Sequence, residues 1–440
     1  MKTIDLDAAP NFCGHEHWGS LDPFGMTPEG FRPDVERGCA PRRPVGLMDL
    51  LIDPYLGGWI YQAGDDPNRL AQEAGAASLR ELADRSPADA LRALRPALRR
   101  QRLTGAYQCL RRGIQRLHGG DIDANDRAKT DELNAAIGAR YGNVWEWYAS
   151  AMRSAHFSAL IRPVHPVYYF RTDNADQAAR EAVVSRTVLR IDPLLDLWKH
   201  PEVRAELARH VGVEPTGPAS WRRFLTLLLD AAKAGGCVGI KQLQAYSRSL
   251  DFRVRSDADV RFSGDLDPDE AAAHQDWVVH ACCAEADARG WPHQVHVGTH
   301  NLSQSSPLPL AALAARYPRM KLVLIHDWPF LDQAAWLAKM HPNVYLDTNW
   351  LPVLNPAFYR QALRTYLGFV PGHKLMAAHD STSVEMAVGS SLHVREILSQ
   401  ELASFAASGA LPASDALRVG RDILHNNAVR VYGIGREVEG

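Results

Sequence analysis

The residues best suited to chemistry begin with His15-Glu16-His17, in which two imidazoles flank one carboxylate. On a β-strand, side chains alternate between two faces, so His15 and His17 would point the same way and Glu16 the other way. Two imidazoles on one face are the geometry for binding a single metal ion. With 18 histidines in 440 residues, about 0.7 such pairs arise by chance, so a surface or core pair without metal is the alternative.

Four further side chains favour the metal interpretation because each lies at the C-terminal end of a predicted strand. They are Lys241, His296, His326 and Asp380. In a barrel of parallel strands these ends meet on one face, where active sites lie. Taken singly, Lys241 could be an ion-paired lysine, His326 could bond a backbone carbonyl, and Asp380 could cap a helix. Brought together, such polar groups must pair or bind a metal to tolerate burial.

The six side chains together suit a divalent cation that prefers nitrogen and oxygen ligands. We predict zinc, with manganese as the alternative, and one or two ions. Such an ion makes hydroxide from water near neutral pH and polarises a carbonyl group. Asp380 would ligate the metal and accept the proton of the attacking water, with His326 and Lys241 as the other predicted catalytic residues. Lys241 would bridge two ions only if its amine were carboxylated.

The elements that must position these residues are short apolar runs, each followed by helical sequence. The predicted strands cover residues 11–17, 158–164, 186–192, 237–243, 293–297, 321–326, 343–348 and 374–380. Several are runs of Val, Ile and Leu, which indicate strands buried on both faces of a parallel sheet. Strand–helix units in this number predict an α/β protein with a (β/α)8 TIM barrel.

A long helical stretch interrupts the barrel pattern after the first predicted strand. Residues 20–150 repeat leucine at three- to four-residue steps, which predicts helices. The stretch is too apolar and aromatic to be disordered. We therefore predict a barrel formed by residues 1–19 and 151–440, with a mostly helical insertion at residues 20–150 packed on it.

Charge and cysteine content exclude several classes of function. The chain balances 49 Lys and Arg against 51 Asp and Glu. Nucleic acid and membranes are therefore not expected as partners, since nucleic acid and anionic lipid both require a concentrated positive field.

Six cysteines without a C-x-x-C pair fit a reducing compartment. The N-terminus lacks the apolar region of a signal peptide, and no apolar run is long enough for a membrane helix. We expect a cytoplasmic protein with a small-molecule substrate. The sequence leaves open whether the protein forms a homo-oligomer.

Several segments resemble the amidohydrolase superfamily, in the branch called amidohydrolase-related or amidohydrolase 2. The six ligand candidates match that superfamily's pattern in order and in strand position. The chain is more closely similar to the amidohydrolase domain found fused to glutamine-synthetase-like domains. The segments that carry this likeness are GIKQLQAYSRSLDF (239–252), HQVHVGTHN (293–301), LVLIHDWPF (322–330), HPNVYLDTNW (341–350) and TGAYQCLRRGIQRLHG (104–119). The eighth predicted strand departs from the family because it ends AAHDST, with an extra His379 beside the aspartate.

The resemblance implies a metal-dependent hydrolase that cleaves an amide-type C–N bond, or an ester C–O bond, of a small substrate by metal-activated water. Relatives on a similar barrel include decarboxylases and uronate isomerases, so a metal-dependent decarboxylase or isomerase is the alternative. A non-catalytic barrel that serves as a binding domain is a third hypothesis, and the complete ligand set argues against it.

Residues that follow the predicted strands are candidates for binding the substrate. They are Trp18, Arg162, Arg190, Tyr246, Arg248, Asn349 and Trp350. An arginine there suits a substrate carboxylate through a bidentate pair of hydrogen bonds. For Arg190, an internal ion pair with Asp192 is the slightly favoured alternative. Asp327 is either a partner that orients a ligand histidine or a loop residue.

Overall fold

Eight β-strands lie in the part of the chain that the computed structural model describes, which is residues 4–18, 44–170 and 175–438. The strands are β1 Asn11–Cys13, β2 Phe157–Val164, β3 Arg186–Arg190, β4 Cys237–Gln242, β5 Pro292–Val297, β6 Lys321–His326, β7 Val344–Asp347 and β8 Leu375–Met376. They are parallel and pair in sequence order from β1 to β8. Parallel strands in sequential order, joined by helices, are the arrangement of a (β/α)8 barrel, so the predicted fold class is confirmed.

The strands are apolar because both of their faces are covered, as expected of a parallel sheet. Strand β5 is buried at every position, and β6 is buried at every position except Lys321. The register pairs His296 with Ile325 and Val297 with His326. The two histidines therefore lie at the ends of neighbouring strands.

Five strands are shorter than predicted, and in β1 and β8 the difference concerns candidate metal ligands. Strand β1 ends at Cys13 and β8 ends at Met376, before His15, His17 and Asp380 are reached. The prediction that these three residues lie on strands is wrong. At Asp380 the physical reason is a φ of 50°, which is incompatible with a strand. The loops beyond the strands pair instead, since the Asp380 N–H donates to the His15 carbonyl at 3.0 Å.

Helices occupy the described chain between β1 and β2, as predicted for the insertion. They are α1 Leu47–Leu51, α2 Leu56–Gln62, α3 Pro67–Glu73, α4 Leu79–Arg85, α5 Pro87–Gln101, α6 Gly105–His118, α7 Arg127–Tyr141 and α8 Val144–Ser154. Residues 20–43 of the predicted insertion lie outside the described residues. In α5 the buried Leu91, Leu94 and Leu98 follow the helical period, so the leucine spacing was a sound predictor.

After β2, helices alternate with strands. They are α9 Ala175–Val184, α10 Asp192–Leu195, α11 Pro201–Val211, α12 Pro218–Ala234, α13 Pro268–Arg289, α14 Ala311–Arg316, α15 Leu331–Met340, α16 Leu351–Leu354, α17 Pro356–Leu367, α18 Val384–Ala407, α19 Ala413–Arg421 and α20 Asn427–Tyr432. A π-helical turn, Asp422–Asn426, precedes α20. Among the described residues, no helix combines the length and the apolarity needed to cross a bilayer.

The chain forms two compact units, each built from separated stretches of sequence. The first unit is Met1–Leu160, Trp350–Gln361 and Ala378–Gly420, and the second unit is Ile161–Asn349, Ala362–Ala377 and Arg421–Gly440. Helices α1 to α8 thus belong to the same unit as β1 and α18. The division into a barrel at residues 1–19 and 151–440 and an insertion at 20–150 stays a prediction.

Helices α6 and α18 of the first unit cross at two glycines. A Cβ atom added at Gly389 would lie 1.7 Å from the Cys109 carbonyl oxygen, and one added at Gly113 would lie 1.7 Å from the Glu385 carbonyl oxygen. Neither position can accept a side chain unless the two helix backbones move apart. The close crossing fixes α18, which begins four residues after Asp380.

We expect Gly389→Ala to lower the free energy of unfolding by about 3 kcal/mol, because overpacking at a backbone contact forces the helices apart. Gly58→Ala is the matched control, since Gly58 lies within α2 and an added Cβ there meets no atom within 4 Å. That control should gain about 0.5–1 kcal/mol from its better helix propensity. Urea unfolding measures both values, and a loss of equal size in the two variants would contradict the close crossing.

Candidate metal and active site

Three predicted ligands lie together in the first unit: His15, His17 and Asp380. His15 Nε2 lies 3.1 Å from His17 Nε2, and Asp380 Oδ1 lies 3.8 Å from His15 Nε2 and 3.4 Å from His17 Nε2. One ligand atom from each residue lies within 4.8 Å of the others. Bonds of about 2 Å from zinc to nitrogen and oxygen allow one cation to reach all three, so these residues fit the predicted metal.

The carboxyl group of Glu16, between the two histidines in sequence, forms hydrogen bonds with neighbouring loop residues. It accepts hydrogen bonds from the Cys13 thiol at 3.0 Å and from the Ser381 N–H at 2.7 Å. Complete burial raises the pKa of Glu16 well above its usual value, and the nearby Asp380 adds to the rise. Glu16 therefore ties the loop after β1 to the loop after β8.

A tyrosine that the sequence analysis missed reaches the carboxylate of this group. The Tyr55 hydroxyl donates to Asp380 Oδ1 at 3.0 Å, and the Tyr55 ring packs against Trp350 with ring centroids 5.0 Å apart. Trp350, a predicted substrate-binding residue, is buried and has φ of 63°. Positive φ at a bulky residue is a strained conformation of a kind that clusters at functional sites. Because Tyr55 is 325 residues from Asp380, no local pattern could have revealed the contact.

The extra His379 beside the aspartate is a structural residue. Its Nε2 lies 2.7 Å from Asn11 Nδ2, and burial lowers the pKa of His379 to about 3. The neutral ring therefore accepts the hydrogen bond of the Asn11 amide. This contact joins the start of β1 to the chain just after β8.

The second unit contains the other three predicted ligands. The rings of His296 and His326 have centroids 4.4 Å apart. Lys241 is fully buried on β4, where its Nζ donates to the Gln242 carbonyl at 3.1 Å. His326 Nδ1 lies 3.3 Å from the Asn349 carbonyl, the kind of contact that orients a ligand histidine through its other nitrogen. The assignment of these three residues as metal ligands stays a prediction.

An aromatic cluster surrounds His296 within the second unit. The Tyr246 ring lies 4.5 Å from the His296 ring and 4.4 Å from the His300 ring, measured between centroids. His296 Nε2 lies 2.8 Å from Thr299 Oγ1, and Thr299 has φ of 65°. Tyr246 keeps 44% of its surface exposed, so this predicted substrate-binding residue is accessible to solvent.

Asp327 is a buried residue in the loop that follows β6. Its Oδ2 accepts a hydrogen bond from the Tyr366 hydroxyl at 3.1 Å. Burial raises the pKa of Asp327 to about 8, with a further contribution from the charge of Asp347. The His326 Nδ1 atom lies 3.3 Å from the Asn349 carbonyl, and an orienting role of Asp327 stays a prediction.

The three arginines predicted to bind substrate have carboxylate partners inside the second unit. The pairs are Arg162 with Glu181 at 2.9 Å, Arg190 with Asp192 at 3.2 Å, and Arg248 with Asp276 at 2.7 Å. For Arg190, the internal ion pair favoured by the sequence is present. A role of these arginines in substrate binding stays a prediction.

Trp18 and Asn349 are both buried candidates for substrate binding. The Trp18 ring packs against Tyr148 of α8, with centroids 4.8 Å apart. Among the described residues, neither Oδ1 nor Nδ2 of Asn349 has a hydrogen-bond partner. Buried amide groups are rarely left unpaired, so the Asn349 side chain is suited to a water molecule or a ligand.

The model of the amidohydrolase family matches residues 169–434. The chain belongs to the amidohydrolase family. This confirms the family resemblance predicted from the sequence. Membership supports an enzymatic role and a divalent metal ion, for which His15, His17 and Asp380 form a suitable group.

One curated relative of the chain is protein fluG of Emericella nidulans. The two are 26% identical over 240 residues, which cover 49% of this chain and 28% of the fungal protein. The match therefore spans less than a third of the relative's length.

Several solved structures share the fold of this protein along nearly the whole chain. A Lactobacillus casei protein assigned as a metal-dependent hydrolase is 19% identical, with a TM-score of 0.61 and 98% of both chains covered. Uronate isomerase of Thermotoga maritima is 15% identical, with a TM-score of 0.71, 98% of this chain and 95% of that chain covered. Glucuronate isomerase of Caulobacter crescentus is 16% identical, with a TM-score of 0.71, 98% of this chain and 93% of that chain covered. At such low identity these likenesses show the fold.

The buried His293, on β5, is expected to make the stability of the protein depend on pH. Burial, and then the positive charge of Lys241, lower the pKa of His293 to about 3. An unfolded imidazole titrates near pH 6.5, so from about pH 3 to 6.5 the unfolded chain binds one more proton at this residue than the folded chain does. Above pH 6.5 the titration of His293 therefore does not reduce the free energy of unfolding. As the pH falls from 6.5 toward 3, protonation of the unfolded chain at this residue lowers that free energy progressively.

We expect His293→Gln to reduce the slope of the free energy of unfolding against pH by about 1.4 kcal/mol per pH unit between pH 4 and 6. This is the slope that the binding of one proton to the unfolded chain produces. Urea unfolding at several pH values, with a chelator present, measures the slope. His200→Gln is the control because the His200 side chain is 56% exposed, and it should change the slope much less. The same slope in His293→Gln as in the wild type would refute the buried neutral imidazole.

Proposed function

We infer that this amidohydrolase is a metal-dependent hydrolase that cleaves an amide-type C–N bond, or an ester C–O bond, of a small substrate. The observation that carries the proposal is the group His15, His17 and Asp380, whose ligand atoms lie within 4.8 Å of one another. These residues directly follow the C-terminal ends of β1 and β8, the side of a (β/α)8 barrel on which active sites lie.

Each residue of the group has a defined role in the proposal. A divalent ion, when bound, polarises a carbonyl group and lowers the pKa of water. His15 and His17 hold that ion through their Nε2 atoms, and Asp380 accepts the proton of the attacking water. The Tyr55 hydroxyl, 3.0 Å from Asp380 Oδ1, holds the carboxylate in place. We propose zinc as the ion, with manganese as the alternative.

The remaining ligand candidates complete the proposal. Lys241, His296 and His326 are proposed as further ligands, with Lys241 and His326 also catalytic. One ion per chain would favour a neutral or protonated Lys241, and two ions would favour its carboxylated form. We also propose a cytoplasmic location, supported by five buried cysteines of the described chain that are thiols and not disulfides.

Metal content and a substrate panel test this proposal. Elemental analysis of the purified protein should find zinc or manganese at one or two ions per chain. The loaded enzyme should then release product from amides or esters, and a chelator should abolish the activity. Conversion of uronates, or release of carbon dioxide from aromatic carboxylic acids, would instead support the alternative isomerase or decarboxylase. If the purified protein contained no metal and added metal left its melting temperature unchanged, a binding domain without catalysis would be favoured.

A further inference from the structure

One buried carboxylate links the helical segment of the first unit to the candidate metal group. Asp53 is fully buried. Its Oδ1 accepts hydrogen bonds from the Tyr55 N–H at 3.0 Å and from the Leu56 N–H at 2.7 Å. Its Oδ2 accepts a hydrogen bond from the Thr382 hydroxyl. The same side chain therefore fixes the turn that begins α2 and the loop that follows β8.

Both contacts of Asp53 lead to Asp380. Tyr55, in the turn held by Oδ1, donates its hydroxyl to Asp380 Oδ1 at 3.0 Å. Thr382, held by Oδ2, lies two residues after Asp380 in the chain. Asp380 is thus restrained through its side chain and through its backbone by one residue that does not itself belong to the metal group.

We propose that Asp53 is a positioning residue, which acts through Tyr55 and Thr382 to hold Asp380 Oδ1 where it serves as metal ligand and proton acceptor. The helical segment Leu47–Ser154 is thereby part of the active site and not only a structural addition. This inference rests on the proposed function, because it requires Asp380 to bind the metal.

The physical reason lies in the freedom of a carboxylate to rotate. A hydrogen bond to one oxygen fixes which oxygen faces the cation, and loss of such outer contacts costs about 10- to 100-fold in metal affinity. The Tyr55 hydroxyl provides that bond only while the backbone of its turn is held. Asp53 accepts two N–H groups of the turn, as a helix-capping aspartate does, and adds the Thr382 contact that ordinary capping does not need.

Cobalt binding tests the inference without knowledge of the substrate. Co²⁺ is titrated into the metal-free forms of the wild type, Asp53→Asn, Tyr55→Phe and the double variant, and the visible spectrum reports the ligand geometry. We expect the Kd for Co²⁺ to rise about tenfold in each single variant, with the same change of spectrum. In the double variant the Kd should rise no further than in the weaker-binding single variant, because residues that act through one contact are not additive.

Two further sets of variants separate positioning from general destabilisation. Asp66→Asn is the matched control, since Asp66 also accepts N–H groups at a helix start, from Asn68 at 2.9 Å and from Arg69 at 3.4 Å, and it should leave the Co²⁺ affinity within twofold of the wild type. Thr382→Val removes the hydrogen bond from the Thr382 hydroxyl to Asp53 Oδ2 and should weaken Co²⁺ binding. Thr382→Ser keeps the hydroxyl and should bind Co²⁺ with the affinity of the wild type. The threonine pair also decides the question if Asp53→Asn does not fold.

The outcomes distinguish failure of this inference from failure of the proposed function. If Asp380→Ala weakens Co²⁺ binding but Asp53→Asn and Thr382→Val bind it like the wild type, Asp53 has no positioning role. Additive losses in the Asp53 and Tyr55 double variant would also overturn that role. If Asp380→Ala itself binds Co²⁺ with unchanged affinity and spectrum, the proposed metal site is wrong.

Discussion

Replacing Asp380 by alanine is expected to lower kcat by about 10³-fold, the size of effect typical for loss of a positioned general base. Asp380 Oδ1 lies 3.4 Å from His17 Nε2, and the Tyr55 hydroxyl donates to it at 3.0 Å. In the proposed mechanism, removing the carboxylate takes away the proton acceptor and one ligand of the cation together. Rates are measured on the substrate that the panel identifies, with metal at saturation so that weaker binding alone cannot explain the loss.

The fold of the Asp380→Ala variant should persist, because the side chain lies in a loop beyond β8 and not in the apolar core. Circular dichroism and the melting temperature in the presence of a chelator check this point. Asp380→Asn keeps the shape of the side chain and should be nearly as inactive, since an amide cannot accept the proton. Asp66→Ala, which alters a helix cap in α3, should keep wild-type kcat. Full activity in Asp380→Ala would refute the assignment of the site.

The fold could be predicted from the sequence because local pattern and tertiary environment agree in the barrel strands. Strand β6, Lys321–His326, is a run of apolar residues that both faces of the sheet bury, and its observed bounds equal the predicted ones. The ends of β1 and β8 were predicted less well. The residues beyond these two ends are proposed metal ligands, and their backbone departs from strand geometry, as the φ of 50° at Asp380 shows.

For the candidate site, the sequence predicts which residue types bind metal but not which distant residues contact them. Histidine and aspartate at His15, His17 and Asp380 indicated metal chemistry, and the three residues are together, although alternation along a strand is not the reason. Tyr55 and Asp53 could not be predicted, because their partners lie 325 and 329 residues away. The side chain of a tyrosine within a helical sequence carries no sign of such a partner.

The second large effect concerns stabilisation by metal. A ligand that binds only the folded state raises the free energy of unfolding by RT ln(1 + [L]/Kd), about 4 kcal/mol at a thousandfold excess over Kd. We expect Zn²⁺ to raise the melting temperature of the wild type and to have almost no effect on His17→Ala at the same concentration. His17 is the better choice for this test because its side chain is 29% exposed, whereas that of His15 is 1% exposed. Alanine at His15 would also leave a cavity.

The quantity to compare is the increment caused by Zn²⁺ and not the melting temperature itself, since the increment cancels any change in the stability of the metal-free protein. His200→Ala, which alters an exposed histidine, controls for weak binding of zinc to surface imidazoles and should keep the full increment. Lowering the pH should diminish the increment in the wild type, because ligand histidines bind metal only when neutral. If His17→Ala gained as much from Zn²⁺ as the wild type, the cation would have to be held by residues other than the His15, His17 and Asp380 group.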